Sequence, residues 1–219
     1  MSPVTWSFSA IKEFETCPRK YYASRVEKLY PFQQSAASKY GNEVHEACEL
    51  YIRDGTPMPG NMAHLQPQLD SLNGISGDKH CEIKMAVTEN LEVCDFDDEN
   101  RWVRGIADLV IVNRNKAFVV DYKTGSAKYP DKGQLELMSL LVFKHFPEVK
   151  KIKAALIFMV HNTVIKDSFT LKGSDKRWQK WKARSELLDG AFENDNWPPK
   201  SNGLCKSWCP VEHCEYHGS

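Results

Sequence analysis

The stretch from Gly105 to Gly125 constrains the fold more than any other part of the chain. Gly105-Ile-Ala-Asp108-Leu-Val-Ile-Val is followed by Asn113-Arg-Asn-Lys116 and then, after Ala117, by Phe118-Val-Val-Asp121-Tyr122-Lys123-Thr-Gly125. Two apolar, β-branched runs joined by a short polar linker read as a hairpin, with the asparagines where the chain turns back. Each strand carries one carboxylate in an otherwise apolar run, a costly placement unless the charge has a job. The period of two puts Asp121 and Lys123 on one face and Tyr122 on the other. If Asp108 faces the same side of the neighbouring strand, two carboxylates and an ammonium converge on a small volume. Such a set suits a hard divalent cation with a lysine beside the reacting atom. An isolated D-x-K is more simply an ion pair at a sheet edge. Gly-x-x-Asp one strand earlier tips the reading to a metal site.

The remaining elements fit around that hairpin. Phe8, Ile11 and Phe14 recur at helical spacing in a short helix capped by Ser7 or Ser9, and Pro18 breaks it or begins the next one. Arg19, Lys20, Tyr21 and Tyr22 set cations beside aromatic rings, a mix that holds phosphates and stacks on bases, or equally a buried aromatic pair with solvated basic tips. A second helix spans about 36–53, with Tyr40, Val44, Cys48 and Ile52 on its inward stripe. Gly41 and His45 share a face of it. A lone histidine there is more often a hydrogen-bonded core residue than a ligand. A connector with a short helix at 62–72 leads to a strand at 81–88 and a partner near 91–96. After the hairpin, 132–146 reads as an amphipathic helix with Leu135, Met138 and Leu141 inward and Gln134 in its first turn. Strands follow at 152–160 and 164–171, then a helix at 174–193 with Trp178, Trp181, Leu188 and Phe192 on its packing side. One sheet flanked by helices, in αβββαββα order, accounts for the chain.

Charge narrows the function. Lys+Arg and Asp+Glu balance at 29 each, which argues against a broad basic footprint but leaves room for a local basic groove. No run approaches a membrane helix, and the N-terminus lacks a basic-then-apolar leader, so a cytoplasmic setting is expected. There structural disulfides are rare, and the seven cysteines need another account. Cys48, Cys81 and Cys94 lie singly in apolar surroundings and read as small buried hydrophobes. Cys205-x3-Cys209-Pro-x3-Cys214-x2-His217 is different. Three cysteines in a stretch without periodicity suggest a metal that orders the tail in place of a core. A tetrahedral zinc on Cys205, Cys209, Cys214 and His217 competes with an iron–sulfur cluster, for which Cys17 before Pro18 is the one other motif-like thiolate.

These motifs together resemble the PD-(D/E)xK nuclease superfamily, in its RecB-like exonuclease branch, which includes the Cas4 proteins and many phage exonucleases. Gly41-x-x-x-His45 resembles the first motif of that branch, Gly105-x-x-Asp108 the second, Asp121-Tyr-Lys123-Thr-Gly the third and Gln134 the fourth. Where the branch has a tyrosine four residues after the glutamine, this chain has Met138. The terminal cysteines resemble those of iron–sulfur members, with spacings of x3 and x4 in place of x2 and x5.

The resemblance implies an α/β (α+β), restriction-endonuclease-like mixed sheet flanked by helices, with the cysteine-rich tail near the N-terminal helix. It implies one nuclease domain over 1–219, its core at 36–196 and a metal-cluster subregion of 1–35 with 197–219. Mg²⁺ or Mn²⁺ would be held by His45, Asp108, Asp121 and the backbone carbonyl of Tyr122. Asp108, Asp121, Lys123 and Gln134 would be the catalytic set. Cys17, Cys205, Cys209 and Cys214 would carry a 4Fe-4S cluster, with zinc as the alternative. The substrate would be single-stranded DNA or DNA ends, gripped in part by Arg19, Lys20 and Tyr21, in recombination, repair or replication beside partner proteins of those processes. A non-catalytic DNA-binding accessory protein of the same fold, or a zinc-binding interaction module, are the competing functions.

Overall fold

The computed structural model describes residues 4–30, 34–128 and 130–219. Packing divides the chain into two compact units, Gln34–Trp178 and Met1–Gln33 with Gln179–Ser219.

The Gln34–Trp178 unit is built on a six-stranded sheet in the order β2-β1-β3-β4-β5-β6. The strands are β1 (Asp78–Thr88), β2 (Val93–Cys94), β3 (Arg101–Asn113), β4 (Lys116–Lys123), β5 (Lys151–Phe158) and β6 (Thr163–Thr170). All neighbours are antiparallel except β4 and β5. That parallel pair needs a crossover, which the helix Gly133–His145 provides. The hairpin closes with Asn113 paired to Lys116, so its turn is Arg114-Asn115. Asn115 is the asparagine expected where the chain turns back, and its neighbour Arg114 is the left-handed residue of the turn (φ 53°). β3 also begins four residues before Gly105, where Trp102 and Val103 are buried.

A helix over Ala36–Asp54 starts at Ser35, whose hydroxyl accepts the Ser38 N–H, and stops at Gly55 (φ 70°). Its Val44, Ala47, Cys48 and Ile52 pack with Leu65 and Leu69, from a short helical segment ending in Gln66–Asn73, against Leu109, Ile111, Val120 and Tyr122 of the hairpin. In chain order these helices are α3 (Ala36–Asp54), α4 (Gln66–Asn73) and α5 (Gly133–His145), α1 and α2 belonging to the other unit. The α5 helix is not amphipathic as its sequence suggests. Leu137, Ser139, Leu140 and Phe143 are buried along with Leu135, Met138 and Leu141. It packs by close approach, since a Cβ on Gly105 of β3 would run into Met138 Cε and stand 3.1 Å from Leu141 Cδ1.

The other unit joins the two ends of the chain. α1 (Phe8–Thr16) is capped by the Ser7 hydroxyl, which accepts the Ala10 N–H. Cys17 separates it from the single turn of α2 (Pro18–Tyr21). The boundary between the units falls within the last helix, α6 (Ser174–Glu193). There Trp181 stacks on Trp6 at 5.7 Å, and Arg184 forms a two-pronged ion pair with Glu15 at 2.6 and 2.7 Å. The tail is fastened to α1 by Lys200 Nζ on the Glu15 carbonyl and by Asn202 Nδ2 on the Thr16 carbonyl. Trp197 completes an aromatic cluster with Phe14, Tyr21, Tyr22 and Phe192. The full order of α-helices and strands is α1-α2-α3-α4-β1-β2-β3-β4-α5-β5-β6-α6, one strand and three short helices more than the αβββαββα expected, and the fold is the expected α/β class: a mixed sheet flanked by helices.

Candidate active site

The site lies where the hairpin opens. The β3–β4 ladder ends at the pair Leu109–Val120. Beyond it the backbone N–H of Tyr122 has no ladder partner on β3, and the Asp108 carboxylate takes it instead, Oδ2 accepting at 2.6 Å. This bond fixes one oxygen of Asp108 and leaves Oδ1 3.4 Å from His45 Nδ1 on α3. Tyr122 itself turns its ring into the core, edge-on to the His45 imidazole. On the next position of the same face as Asp121, Lys123 Nζ lies 2.6 Å from Asp121 Oδ2 and donates to Gln134 Oε1 at 2.8 Å. Gln134, in the first turn of α5, returns its amide N–H to Asp121 Oδ1. Asp121, Lys123 and Gln134 thus form a closed ring of hydrogen bonds and charge.

A third acidic residue, which the sequence does not point to, joins the site. Glu82 of β1 lies between the pairs Cys81–Leu109 and Ile83–Ala107, across from Asp108. Its backbone is left-handed, φ 47°, which is uncommon for a long side chain inside a strand. Ligand atoms of His45, Glu82 and Asp108 all lie within 4.8 Å of one another. In the sequence Glu82 alternates with Lys84 on what reads as a solvent face. Its place opposite Asp108 becomes visible only once the β1–β3 register is known.

The charges are crowded. Burial raises the Asp121 carboxyl, and the Asp108 charge raises it further against the opposing pull of Lys123. Burial and then Asp108 push Glu82 up to about 7. Burial draws the His45 imidazole down, but its hydrogen bond to Asp108 and the surrounding carboxylates outweigh this and leave it raised. Carboxylates forced together with one buried oxygen, Asp121 Oδ2, met only by the Lys123 ion pair, fit a divalent cation that would offset the repulsion. The donor set, oxygen-rich with one imidazole, is of the kind that holds Mg²⁺ or Mn²⁺.

The other sequence-derived candidates fall in the terminal unit. Cys17, Cys205, Cys209, Cys214 and His217 line one cavity, with Arg19, Lys20 and Lys200 beside them. Two of the sulfurs accept backbone N–H groups at 3.4 Å, Cys17 Sγ from Lys200 and Cys205 Sγ from Asn202. Tyr21 is 4 % exposed and stacked on Trp197, so its ring face is taken up by packing and not open to a base. Arg19 donates to the Trp197 carbonyl at 3.0 Å. Of the single cysteines, Cys48 is fully buried and its thiol is pushed up to about 12 by burial and the Asp108 charge. Cys81 and Cys94 are half-buried.

A mixed sheet presenting clustered carboxylates, a histidine and a lysine at the mouth of a hairpin has the donor set that a cation-dependent hydrolase would need. The sequence model of the PD-(D/E)XK nuclease superfamily matches residues 5–73 and 75–217. The chain belongs to that superfamily, whose members are metal-dependent nucleases. No curated protein sequence matches it. Among solved structures, a Eubacterium rectale protein provisionally named as an exonuclease is similar, at a TM-score of 0.53 and 12% identity over 92% of this chain and 86% of that one. The crystal structure of SSO0001 is also similar, at a TM-score of 0.44 and 18% identity over 96% and 85%. Among the described residues no helix is long and apolar enough to cross a membrane.

Proposed function

We propose that this nuclease is a divalent-metal-dependent DNA exonuclease of the RecB-like, Cas4-like branch, acting on DNA ends in recombination, repair or replication. The observation that carries the proposal is the ring of Asp121, Lys123 and Gln134 set beside the donors of His45, Glu82 and Asp108. The motifs that form it are those by which the chain resembles the exonuclease branch, and the name of the Eubacterium rectale neighbour points the same way.

His45, Glu82 and Asp108, with Asp121 and the Tyr122 carbonyl, would hold the cation. Bound there, Mg²⁺ or Mn²⁺ supplies acidification of water and neutralisation of the attacked phosphate, the imidazole favouring Mn²⁺. Lys123 orients the attacking water and stabilises the negative charge that develops at phosphorus. Gln134 keeps the Lys123 ammonium at the mouth of the site. Asp108 serves both strands, tying the Tyr122 amide with one oxygen and offering the other to the cation.

The experiment is digestion of end-labelled linear DNA, single- and double-stranded, with Mg²⁺, Mn²⁺ or EDTA, alongside a closed single-stranded circle. Wild type is expected to shorten linear DNA from its ends, spare the circle and stop in EDTA. Lys123→Ala should lose at least about 100-fold in rate, in the range of one lost electrostatic group. Equal cutting of the circle refutes the exonuclease reading, and near-normal activity of Lys123→Ala refutes the site.

For the four cysteines we favour the iron–sulfur cluster over zinc. An iron–sulfur cluster takes four thiolates, and Cys17, Cys205, Cys209 and Cys214 line one cavity. The backbone N–H groups on Cys17 and Cys205 are the kind that stabilise cluster sulfur.

A further inference from the structure

One residue of the terminal unit stands apart from all the roles above. The chain has six tryptophans. Trp6, Trp102, Trp178, Trp181 and Trp197 are all buried, whereas Trp208 is 76 % exposed. It lies in the loop between Cys205 and Cys209, where its backbone N–H closes a turn on the Leu204 carbonyl at 2.9 Å. Leu204 is itself 41 % exposed. The segment from Lys200 to Val211 contains Lys200 and Lys206 and no acidic residue. Arg19, Lys20 and Lys200 line the cavity into which the same loop feeds Cys205 and Cys209.

An indole held out in water costs hydrophobic free energy that a partner would recover. A protein partner is a poor match. One indole and one leucine fall far short of the roughly 800 Å² that each side of a stable protein interface covers. An unpaired DNA strand is a good match, because every base offers a ring face to an exposed aromatic and every phosphate a charge to a neighbouring cation. The loop pairs its exposed tryptophan with Lys206 two residues before it, the nearest acidic residue in sequence being Glu212, four residues after it.

We infer that Trp208 is a stacking platform for a base of unpaired DNA, with Lys206 taking a flanking phosphate. The inference rests on the reading of the substrate as DNA and gives that substrate a single-stranded segment at this loop.

The test is binding of a labelled oligo(dT) by fluorescence anisotropy, using the full chain carrying Lys123→Ala so that cleavage is suppressed. A strand of the same length made of abasic sites is the comparison. Adding Trp208→Ala should weaken oligo(dT) binding about tenfold, within the range for loss of one base–aromatic stack, and leave the abasic strand unchanged. Trp208→Phe should keep most of the affinity. Lys206→Ala should weaken both strands alike. Unchanged oligo(dT) affinity in Trp208→Ala overturns the inference, as does an equal loss on the abasic strand. A shift in self-association with DNA affinity intact assigns the patch to a second copy and overturns it too. Failure of wild type to degrade DNA, with Trp208-dependent strand binding intact, refutes the nuclease reading alone.

Discussion

Glu82 holds its charge at a cost. Its carboxyl titrates at about 7 in the folded chain against a reference of 4.5, because burial and Asp108 disfavour the anion. The folded state therefore keeps the proton through that window, and stability falls as pH rises from the lower value through the higher one. Glu82 is only half-buried, so screening limits the effect to roughly 1 kcal/mol. Glu82→Gln should raise the melting temperature of the metal-free protein by about 2–4 °C near pH 8, and by nothing near pH 4. It should also shrink the stabilisation that Mn²⁺ gives, since a ligand stabilises by its affinity for the folded state. A melting curve that matches wild type at every pH removes the proposed strain. Residues of this kind are where the sequence was least legible. Asp108, Asp121 and Lys123 announced themselves as charges in apolar strands. Glu82 sat in a strand that already had polar positions, and only strand pairing put it against Asp108. Tyr21 went the other way, its sequence setting among basic residues concealing a ring packed on Trp197.

At the scale of elements, α5 is what connects packing to chemistry. Met138 lies one turn after Gln134 and fills the hollow left by Gly105, three residues before Asp108. The glycine lets helix and strand approach, and their approach sets where the Gln134 amide meets Asp121 and Lys123. Gly105→Ala should cost about 1–3 kcal/mol by overpacking, even though the flexible tip of Met138 can give way. Met138→Ala in the same chain should relieve part of that, so that the double variant is less destabilised than the sum of the single changes. Strict additivity in urea denaturation contradicts the contact. The helix itself was plain from its periodicity, and the places of the strands along the chain followed from alternating and apolar runs. Its burial on all sides was not, because Leu137, Leu140 and Phe143 fall outside the stripe that a one-faced helix needs. Where β4 parts from β3 was equally hidden, and that parting is what frees the Tyr122 amide for Asp108.

At the scale of the molecule, the family match runs through both compact units, from residue 5 to 217. The terminal unit has its own fastenings, with the Arg184–Glu15 pair, the stacked tryptophans and the Lys200 and Asn202 bonds to α1. A cluster on Cys17, Cys205, Cys209 and Cys214 would close a very long loop of chain, restricting the unfolded ensemble more than a short staple does. Cys209→Ser should abolish visible absorbance, lower bound iron on metal analysis and reduce thermal stability. Bound zinc at one equivalent in a colourless wild type refutes the cluster. The sequence conveyed that the late cysteines belong together. Residue types could not convey which elements hold the tail when the metal is left out of account, since those bonds run to carbonyl groups of α1.

The aromatic cluster around Trp197 also bears on how the protein is made. Phe14, Tyr21 and Tyr22 are synthesised well before the indole that fits among them. All of residues 34–178 must be synthesised in between, a delay on the order of ten seconds at ordinary elongation rates. During that interval the three rings lack the indole that covers them, and apolar surface left open on a nascent chain is the kind that chaperones shield.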